Sequence, residues 1–227
     1  MKTRALDFLL SGICIGLIAA VSLLLIGALV APYSSALLGQ YHVVADVFAL
    51  FLTYGLASAI FVRLMLRLSP LRPGDYSMDH PHFTYWKVFT VVYELGRFAL
   101  APFTIVFAKP AIIALFGARV GRNTAFAGHV NEPPLISIGD DAILGQDCVV
   151  TAHVITSGHI ILREIKIARG ATVGINAVIM PGVEIGDGAV VASCSVVAMG
   201  TRIPAGELWG GVPARKIKDL ALSDIRG

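Results

Sequence analysis

The sequence predicts membrane helices plus an all-β solenoid, with an N-terminal transmembrane helical region followed by parallel strands. The chain of 227 residues is 56% hydrophobic and only 15% charged, which is more apolar than an ordinary globular domain. From Val120 onward, aliphatic residues recur every six positions. We therefore divide the chain into 1–70, two transmembrane helices; 71–118, a connector and interfacial helices; 119–208, the solenoid; and 209–227, a cap and tail.

Two apolar stretches near the N-terminus are long enough to span a bilayer. Phe8 to Ala31 is uncharged over 24 residues, which gives a helix of about 36 Å against a hydrocarbon core of about 30 Å. Val43 to Val62 is interrupted only by Asp46. Lysine and arginine flank the pair on its outer sides and are missing between them, so both ends are expected in the cytoplasm. This predicts a multi-pass protein of the inner (plasma) membrane.

The segment between the two parts is expected to lie at the membrane surface. Arg72 to His82 is rich in turn-forming residues, and Trp86 to Phe116 is interpreted as amphipathic helices in the cytoplasmic interface. Tyr85 and Trp86 are expected at headgroup level. The spacing of Gly12 and Gly16 is suited to close helix packing.

The repeat is regular enough to define a solenoid. Three hexapeptides make 18 residues, which is one triangular coil, so each aliphatic residue stacks on its equivalent in the next coil. The phase slips between Val150 and Ile161, where 11 residues replace 12, and a binding loop is expected in Thr151 to Ile160. The unbroken aliphatic series is Ile167, Val173, Ile179, Ile185, Val191, Val197 and Ile203, and the same phase occurs earlier at Val120, Phe126, Ile138, Leu144 and Val150.

Charge and cysteine usage narrow the class of protein. The net charge of +3 comes without a clustered basic stripe, so no nucleic-acid partner is predicted. Cys14, Cys148 and Cys194 are far apart and odd in number, which indicates neither a disulfide framework nor a CxxC metal site.

The repeats resemble the left-handed β-helix of the hexapeptide-repeat acyltransferases, over Val120 to Ile217. The run from Trp209 to Lys216, with Gly211, Pro213, Ala214 and Arg215, is similar to the Gly-x-Pro-Ala-Lys/Arg signature that closes the last coil in that family. The resemblance implies a left-handed parallel β-helix, a homotrimer with active sites between neighbouring flat faces, and an acyl-CoA co-substrate, with acetyl-CoA the first candidate.

The resemblance also implies roles for particular residues. His153 falls where the family carries its catalytic histidine, a general base whose ordinary pKa near 6.5 suits proton transfer in both directions; the alternative is a histidine that only caps a corner. Thr151 and His159 are candidate substrate contacts, and His129 is interpreted as structural. The candidate acyl-CoA-binding residues are Gly174, Asn176, Trp209, Gly211, Pro213, Ala214, Arg215 and Lys216, with Lys218 a further phosphate partner. No metal site is predicted.

The whole-chain arrangement is similar to the C-terminal region of membrane proteins related to polylysine synthetase, the terminal domains of nonribosomal peptide synthetases. In those proteins an acidic residue follows the Thr-His motif. Here Val154 follows His153, and Glu164 is too distant in sequence to be assigned as the acidic partner.

Three functions remain open at this point. The first is acyl transfer to a hydroxyl or amine of a membrane-associated small-molecule or lipid-linked acceptor. The second is a γ-class carbonic anhydrase, which needs three histidines from adjacent subunits on one metal ion. His129 and His153 are 24 residues apart, not a multiple of 18, and so are expected on different faces, which disfavours zinc binding. The third is a non-catalytic scaffold.

Overall fold

The structure, a computed structural model, describes residues 3–221 except the side chain of Val106. Two compact units are present: a helical unit of Met1–Pro70 and Asp79–Thr104, and a solenoid unit of Leu71–Met78 and Ile105–Gly227. The end of the predicted tail, 222–227, lies outside the described residues.

Five α-helices occur in the described residues: α1 Ala5–Leu25, α2 Ala31–Leu38, α3 His42–Leu68, α4 Pro81–Leu100 and α5 Lys109–Leu115. A π-helical turn, Ile26–Val30, joins α1 to α2. A 3₁₀ turn, Gly39–Tyr41, follows α2, and Gly39 has a φ of 52°, a left-handed conformation that glycine adopts at little cost. The chain reverses there, so that α3 packs back along α1 and α2.

Helices α1 and α4 run in the same direction, and α3 runs against both. The carboxylate of Asp7, near the start of α1, accepts a hydrogen bond of 2.8 Å from the hydroxyl of Thr84, near the start of α4. The hydroxyl of Tyr85 donates to the carbonyl of Ser69 at the far end of α3 (2.5 Å). The three helices therefore form a bundle.

The apolar helical stretch Ala5–Leu68 is long and apolar enough to cross a membrane by length and composition. Its most apolar window has a mean hydropathy of 2.9 and is only 17% buried. The side chains of Phe8, Leu24 and Ile60 are about 70% exposed or more, which suits contact with lipid. The reversal at Gly39 falls in the stretch where the sequence predicts the loop between two spans.

Close helix packing occurs at a different glycine from the predicted pair. A Cβ atom added to Gly12 or Gly16 would meet no described atom within 4 Å, so neither glycine makes a close helix contact. A Cβ on Gly55 of α3 would overlap the side chain of Leu100 and lie 3.1 Å from the carbonyl oxygen of Gly96 on α4. The α3–α4 contact thus uses glycine for close approach, whereas Gly12 and Gly16 make no close helix contact within the described part of one chain.

Helix α4 also differs from the interfacial helix expected of its sequence. It begins at Pro81, which suits a first helical turn because proline lacks the N–H that would be unpaired there. Trp86 is buried and stacks on Phe83, with ring centroids 5.7 Å apart. Its buried face, which includes Phe89 and Val92, packs lengthwise on α1 and α3. Burial against two apolar helices places Trp86 inside the bundle.

The solenoid has about five coils and three faces of parallel strands. The first face is β2-β5-β10-β13-β16, the second β3-β6-β11-β14-β17 and the third β4-β7-β12-β15. The strands are β1 Gly74–Ser77, β2 Arg119–Val120, β3 Ala125–Phe126, β4 His129–Asn131, β5 Ile136–Ile138, β6 Ile143–Leu144, β7 Val149–Thr151, β8 His153–Thr156, β9 His159–Leu162, β10 Ile165–Ile167, β11 Thr172–Val173, β12 Val178–Ile179, β13 Glu184–Ile185, β14 Val190–Val191, β15 Val196–Val197, β16 Arg202–Ile203, β17 Glu207–Gly211 and β18 Ala214–Asp219.

The predicted 18-residue register is present in the strand pairing. Ile167 pairs with Ile185, which pairs with Ile203, and these side chains are at most 2% exposed. The small positions Ala171 and Ala177 are fully buried. Large side chains fill the coil centre and small ones fill the corners, so the solenoid prediction is confirmed.

The phase slips twice, not once. Phe126 and Val130, on successive strands of the first coil, are only four residues apart, and the coil recovers its length through the 3₁₀ turn Pro133–Leu135. The second slip is a hairpin, β8–β9, inserted after β7. There Ile160 and Leu162 are fully buried while Ile161 is half-buried, because side chains alternate along a strand. The assignment of Ile161 to the core phase was therefore wrong.

The hairpin is widened by a strand from the connector. Strand β1 pairs antiparallel with β9, with Tyr76 opposite Ile160, and the N–H of Met78 donates to the carbonyl of Gly158 (3.0 Å). The turn-rich connector expected at Arg72 to His82 thus contains an edge strand. The sheet β1-β9-β8 forms a platform beside the coils, where the binding loop is predicted.

Candidate active site

His153 begins the hairpin where the chain leaves the third face of the second coil. Strand β7 ends at Thr151, and the fully buried Ala152 separates it from β8. The side chain of His153 is 25% exposed, so one edge of the imidazole is within the protein and part of the ring is open to solvent. The structure places His153 at a corner of the solenoid, beside the inserted platform.

A buried glutamate holds the inner nitrogen of this imidazole. Oε1 of Glu132 lies 2.8 Å from Nδ1 of His153, and the Glu132 side chain is 1% exposed. Glu132 follows β4 in the preceding coil and has a φ of 54°, a left-handed conformation that is uncommon outside glycine, asparagine and aspartate. Backbone strain of this kind costs on the order of 1–3 kcal/mol and is concentrated at functional sites. The carboxylate that the sequence did not locate is therefore supplied by Glu132.

The Glu132 contact fixes the chemistry of the imidazole. Because an ionised carboxylate only accepts hydrogen bonds, Nδ1 is assigned as the donor to Glu132, which in the neutral ring leaves the lone pair on Nε2. Thr151 supports the same orientation: its hydroxyl lies 3.2 Å from Nδ1 and 3.2 Å from the carbonyl oxygen of His153. This arrangement leaves Nε2 as the ring nitrogen that is free to accept a proton.

The other two histidines of the solenoid lie at strand positions that differ from that of His153. His159 is exposed at the hairpin tip, beside the turn at Ser157 and Gly158, and its Nδ1 is 3.2 Å from the carbonyl oxygen of Ser157. In the hairpin register it faces Thr156, whereas His153 faces Leu162. His129 is exposed at the start of β4 and pairs with Val149.

Gly174 and Asn176 lie at a different corner, between the second and third faces of the third coil. A Cβ on Gly174 would lie 2.7 Å from the backbone carbonyl carbon of Ala192 in the next coil, so only glycine fits. Asn176 is exposed, has a φ of 55°, and donates its N–H to the carbonyl of Gln146 (3.0 Å). The structure does not bring this corner together with His153 within one chain.

The last coil is closed by the hairpin β17–β18, which contains the signature residues. Trp209 is half-buried and donates its indole N–H to Glu207 (2.7 Å). Gly211, with a φ of 98°, donates its N–H to the hydroxyl of Ser195 (3.1 Å). Pro213 follows a cis peptide bond, and Ala214 is buried. The hairpin therefore forms an ordered cap on the fifth coil.

The cationic residues of the cap differ in their contacts. The ammonium of Lys216 lies 2.7 Å from Glu207 and 2.7 Å from Asp219. Hydrogen bonds to Asp219 and then Glu207 raise the pKa of Lys216, and the hydrogen bond from Lys216 lowers the pKa of Glu207. Arg215 is exposed and donates to the carbonyl of Ala214 (3.1 Å). A phosphate at Lys216 would compete with two carboxylates, whereas none of the ion pairs found in residues 3–221 occupies Arg215.

A γ-class carbonic anhydrase requires a metal ion held by histidines. Among residues 3–221, no group of three or more histidine, cysteine, aspartate or glutamate side chains is placed to hold a metal ion.

The comparisons with known proteins point to the same class of solenoid. Residues 164–198 match the family model described as bacterial transferase hexapeptide (six repeats). The acetyltransferase VCA0836 of Vibrio cholerae, a hexapeptide-repeat protein, superposes with a TM-score of 0.51 at 20% identity, over 60% of this chain and 93% of that one. This likeness shows the fold.

Two curated relatives carry different names. YvoF of Bacillus subtilis, provisionally named an acetyltransferase, is 35% identical over 103 residues, which is 44% of this chain and 59% of that protein. The mitochondrial γ carbonic anhydrase 2 of Arabidopsis thaliana is 38% identical over 144 residues, which is 53% of this chain and 50% of that protein. The chain thus spans between half and three fifths of the length of these relatives.

Sequence reasoning missed Glu132, although a signal was present. In steps of six from Phe126, position 132 should be aliphatic before Ile138, and it is a glutamate. A charged residue in a core position is rarely buried unless it is paired. The pairing with His153 could not be predicted, because it depends on the first phase slip. There Val130 follows Phe126 by four residues instead of six, which displaces Glu132 from the coil centre.

Proposed function

We propose that the protein is an acyl-CoA-dependent acyltransferase, with acetyl-CoA as the first candidate donor and His153 as general base. The observation that supports this most strongly is the 2.8 Å contact between Nδ1 of His153 and the buried carboxylate of Glu132. A histidine that only capped a corner would not need a buried carboxylate, whose desolvation costs several kcal/mol.

In the proposed reaction His153 takes one proton from the acceptor and later gives it to the leaving thiolate. Nε2 of His153 accepts the proton of the acceptor hydroxyl or amine while the acceptor oxygen or nitrogen bonds to the thioester carbonyl carbon. The carbon–sulfur bond then breaks, and Nε2 returns the proton to the departing thiolate. Glu132 stabilises the imidazolium between these two transfers, and Thr151 keeps the ring in place. His159, at the hairpin tip, is proposed to contact the acceptor.

The cap is proposed to bind the distal part of acyl-CoA. His153 follows a strand of the second coil and the signature hairpin closes the fifth, so three coil steps separate them, about 14 Å along the solenoid at 4.7–4.9 Å per step. An extended pantetheine arm running along the coils would connect the two. Arg215 is the proposed phosphate partner, because Lys216 is already held by Glu207 and Asp219.

A homotrimer would complete this site. Gly174 and Asn176 lie at the corner between the second and third faces, whereas His153 lies at the next corner of the same chain. If neighbouring solenoids pack face to face, the corner of one protomer that holds His153 meets the corner of the next protomer that holds Gly174 and Asn176. We therefore propose that each site uses His153 of one protomer and the glycine corner of the next.

We further propose that the apolar stretch Ala5–Leu68 anchors the protein as a helical hairpin in the inner membrane, with the solenoid in the cytoplasm. The uncharged exposed surface of α1 and the absence of lysine and arginine between Ala31 and Val43 support this. The anchor would hold the enzyme near a membrane-associated acceptor and raise its effective concentration.

The test is transfer of labelled acetyl groups from acetyl-CoA in membranes that contain the full chain. His153→Ala should reduce labelling of extracted products by about 10²- to 10⁴-fold, because the general base is lost. His129→Ala serves as the matched control and should stay within twofold of the native protein. Equal labelling with His153→Ala would overturn the acyltransferase and favour the scaffold.

A carbonic anhydrase is the second candidate, favoured by the 38% identity to the Arabidopsis protein. It predicts about one zinc per chain and CO₂ hydration that is lost in both His129→Ala and His153→Ala. The acyltransferase predicts loss of transfer only in His153→Ala. Zinc content measured on purified protein, together with these two variants, separates the two functions.

A further inference from the structure

The first coil of the solenoid is closed at its open end by residues 105–116, which we call the plug. The plug contains the 3₁₀ turn Val106–Ala108 and α5, and it packs on β2 and β3. Ile113 and Phe116 are 3% and 0% exposed, so they complete the hydrophobic core at this end. A plug with this role needs apolar side chains only on its inner side.

The outer side of the plug is also apolar. Phe107 is 87% exposed and Ile105 is 65% exposed. On α5, Ala111 and Leu115 are four residues apart, share one helix face and are both exposed. The one polar side chain of the plug, Lys109, donates from its ammonium group to a backbone carbonyl between β3 and β4 (3.1 Å). An exposed surface of this kind indicates a partner.

Two cations border this surface on the first coil. Arg119 on β2 and Arg122 in the corner that follows are both exposed. The carboxylate of Asp140 accepts a hydrogen bond from the backbone N–H of Arg122 (2.7 Å), but among residues 3–221 no ion pair involves either guanidinium group. Both guanidinium groups are therefore available to an anionic partner.

The combination of exposed aromatic and aliphatic side chains with arginine suits the boundary between a bilayer and water. The plug also begins directly after Thr104, the last residue of the helical unit. Phe98 on α4 is 71% exposed, and seven residue steps from Phe98 to Ile105 span at most about 25 Å. If the helical unit is anchored in the membrane, the plug stays near the bilayer surface.

We propose that the plug docks the solenoid on the bilayer, with Phe107 and Ile105 at the edge of the acyl chains and with Arg119 and Arg122 on the phosphates of anionic phospholipids. The proposal rests on the proposed membrane anchor and not on acyl transfer. Docking of the plug would make the first coil the membrane-facing end of the solenoid.

The experiment is fluorescence quenching in lipid nanodiscs that hold the full-length protein. Phe107→Cys, combined with Cys14→Ala and Cys194→Ser, is labelled with a fluorescent maleimide, while Cys148 stays buried. Phospholipids that carry a nitroxide at the glycerol end of the acyl chain should lower the emission about twofold or more. Met199→Cys is the matched control. Met199 is 49% exposed in the fourth coil, about 14 Å along the solenoid from the first, so its label should lose less than about a tenth of its emission.

The two arginines are tested by lipid composition. Replacing part of the phosphatidylcholine with phosphatidylglycerol should increase quenching at position 107, because each arginine near an anionic surface favours the docked state about fivefold. The double variant Arg119→Gln and Arg122→Gln should remove this increase. Arg202→Gln is the control, since Arg202 is 81% exposed on the same solenoid face but four coils away, and should leave the increase unchanged.

The outcomes separate this proposal from the functions on which it does and does not rest. Protein that fails to insert in nanodiscs would contradict the anchor and the docking together. Inserted protein that is unquenched at position 107 would overturn the docking alone. So would a label that is shielded from water yet unquenched, since a protein surface would then cover the plug. Acetyl transfer measured on the same nanodiscs reports the proposed activity separately.

Discussion

At the scale of single residues, the proposed catalysis depends on the buried contact between Glu132 and His153. The sequence indicated His153 from its place in the broken repeat, but it gave no partner, because the carboxylate comes from the preceding coil, 21 residues earlier. In the proposed mechanism Glu132 acts through His153 and is therefore a positioning residue. Its contribution is separable from that of the base itself.

Glu132→Gln keeps the shape of this side chain and removes its charge. We expect kcat for acetyl transfer to fall about tenfold or more, because the imidazolium loses its counter-charge, while KM for acetyl-CoA stays within twofold. Steady-state rates on isolated membranes measure both constants. Glu184→Gln, in an exposed ion pair with Lys166 and Arg202, is the control and should leave both unchanged. A rise in KM without a fall in kcat would contradict the positioning role.

The two solenoid cysteines should differ sharply in reactivity. Burial is the main cause that raises the pKa of the Cys148 thiol to about 12, so at pH 7–9 it stays protonated, whereas the thiolate is the nucleophile. Cys194 is exposed. Maleimide at pH 7.5 should label Cys194 within minutes and leave Cys148 unlabelled until the protein is denatured, as read by peptide mass spectrometry. Labelling of Cys148 in the native Cys194→Ser protein would contradict its burial.

At the scale of elements, periodicity predicted the coils well and the insertion poorly. Ile167, Ile185 and Ile203 stack as the six-residue phase requires, because each must reach the same point of the coil centre. The hairpin β8–β9 has the two-residue period of a strand, so the hexapeptide phase could not place Ile161. Strand β1 was missed because its partner β9 is more than 80 residues away in sequence.

Glycine at a coil corner provides a test of the stacking. A Cβ on Gly186 would lie 2.5 Å from the backbone nitrogen of Ala205 in the next coil, where nothing can move aside easily. Gly186→Ala should therefore destabilise the solenoid by about 1–3 kcal/mol and lower its melting temperature. Arg202→Ala, at a side chain 81% exposed, is the control and should change stability by less than about 1 kcal/mol. An unchanged melting temperature in Gly186→Ala would contradict the close approach of the coils.

At the scale of the whole molecule, composition predicted the division into an apolar helical part and a repetitive β part. It did not predict that α4 joins the bundle, because the buried face of α4 is set by contacts with α1 and α3 rather than by its own period. The repeat period also cannot predict the handedness of the solenoid, and the general rule for parallel crossovers would favour the right hand.

The proposed orientation can be tested with a native cysteine. If the solenoid is cytoplasmic, a membrane-impermeant maleimide should label the exposed Cys194 in inside-out vesicles and not in right-side-out vesicles. Cys194→Ser removes the signal and shows that it comes from this residue. Equal labelling in both preparations of sealed vesicles would contradict a single cytoplasmic orientation.

The central claim is that acyl transfer takes place at Nε2 of His153, with the donor extended from the second coil to the cap. The most direct measurement is a structure of the full-length protein determined with acetyl-CoA. We predict that the thioester lies within about 4 Å of Nε2, that the pantetheine arm follows the coils towards Trp209, and that the phosphates lie near Arg215. Acetyl-CoA bound away from His153, or a metal ion held by His153 with histidines of a neighbouring copy, would contradict the account.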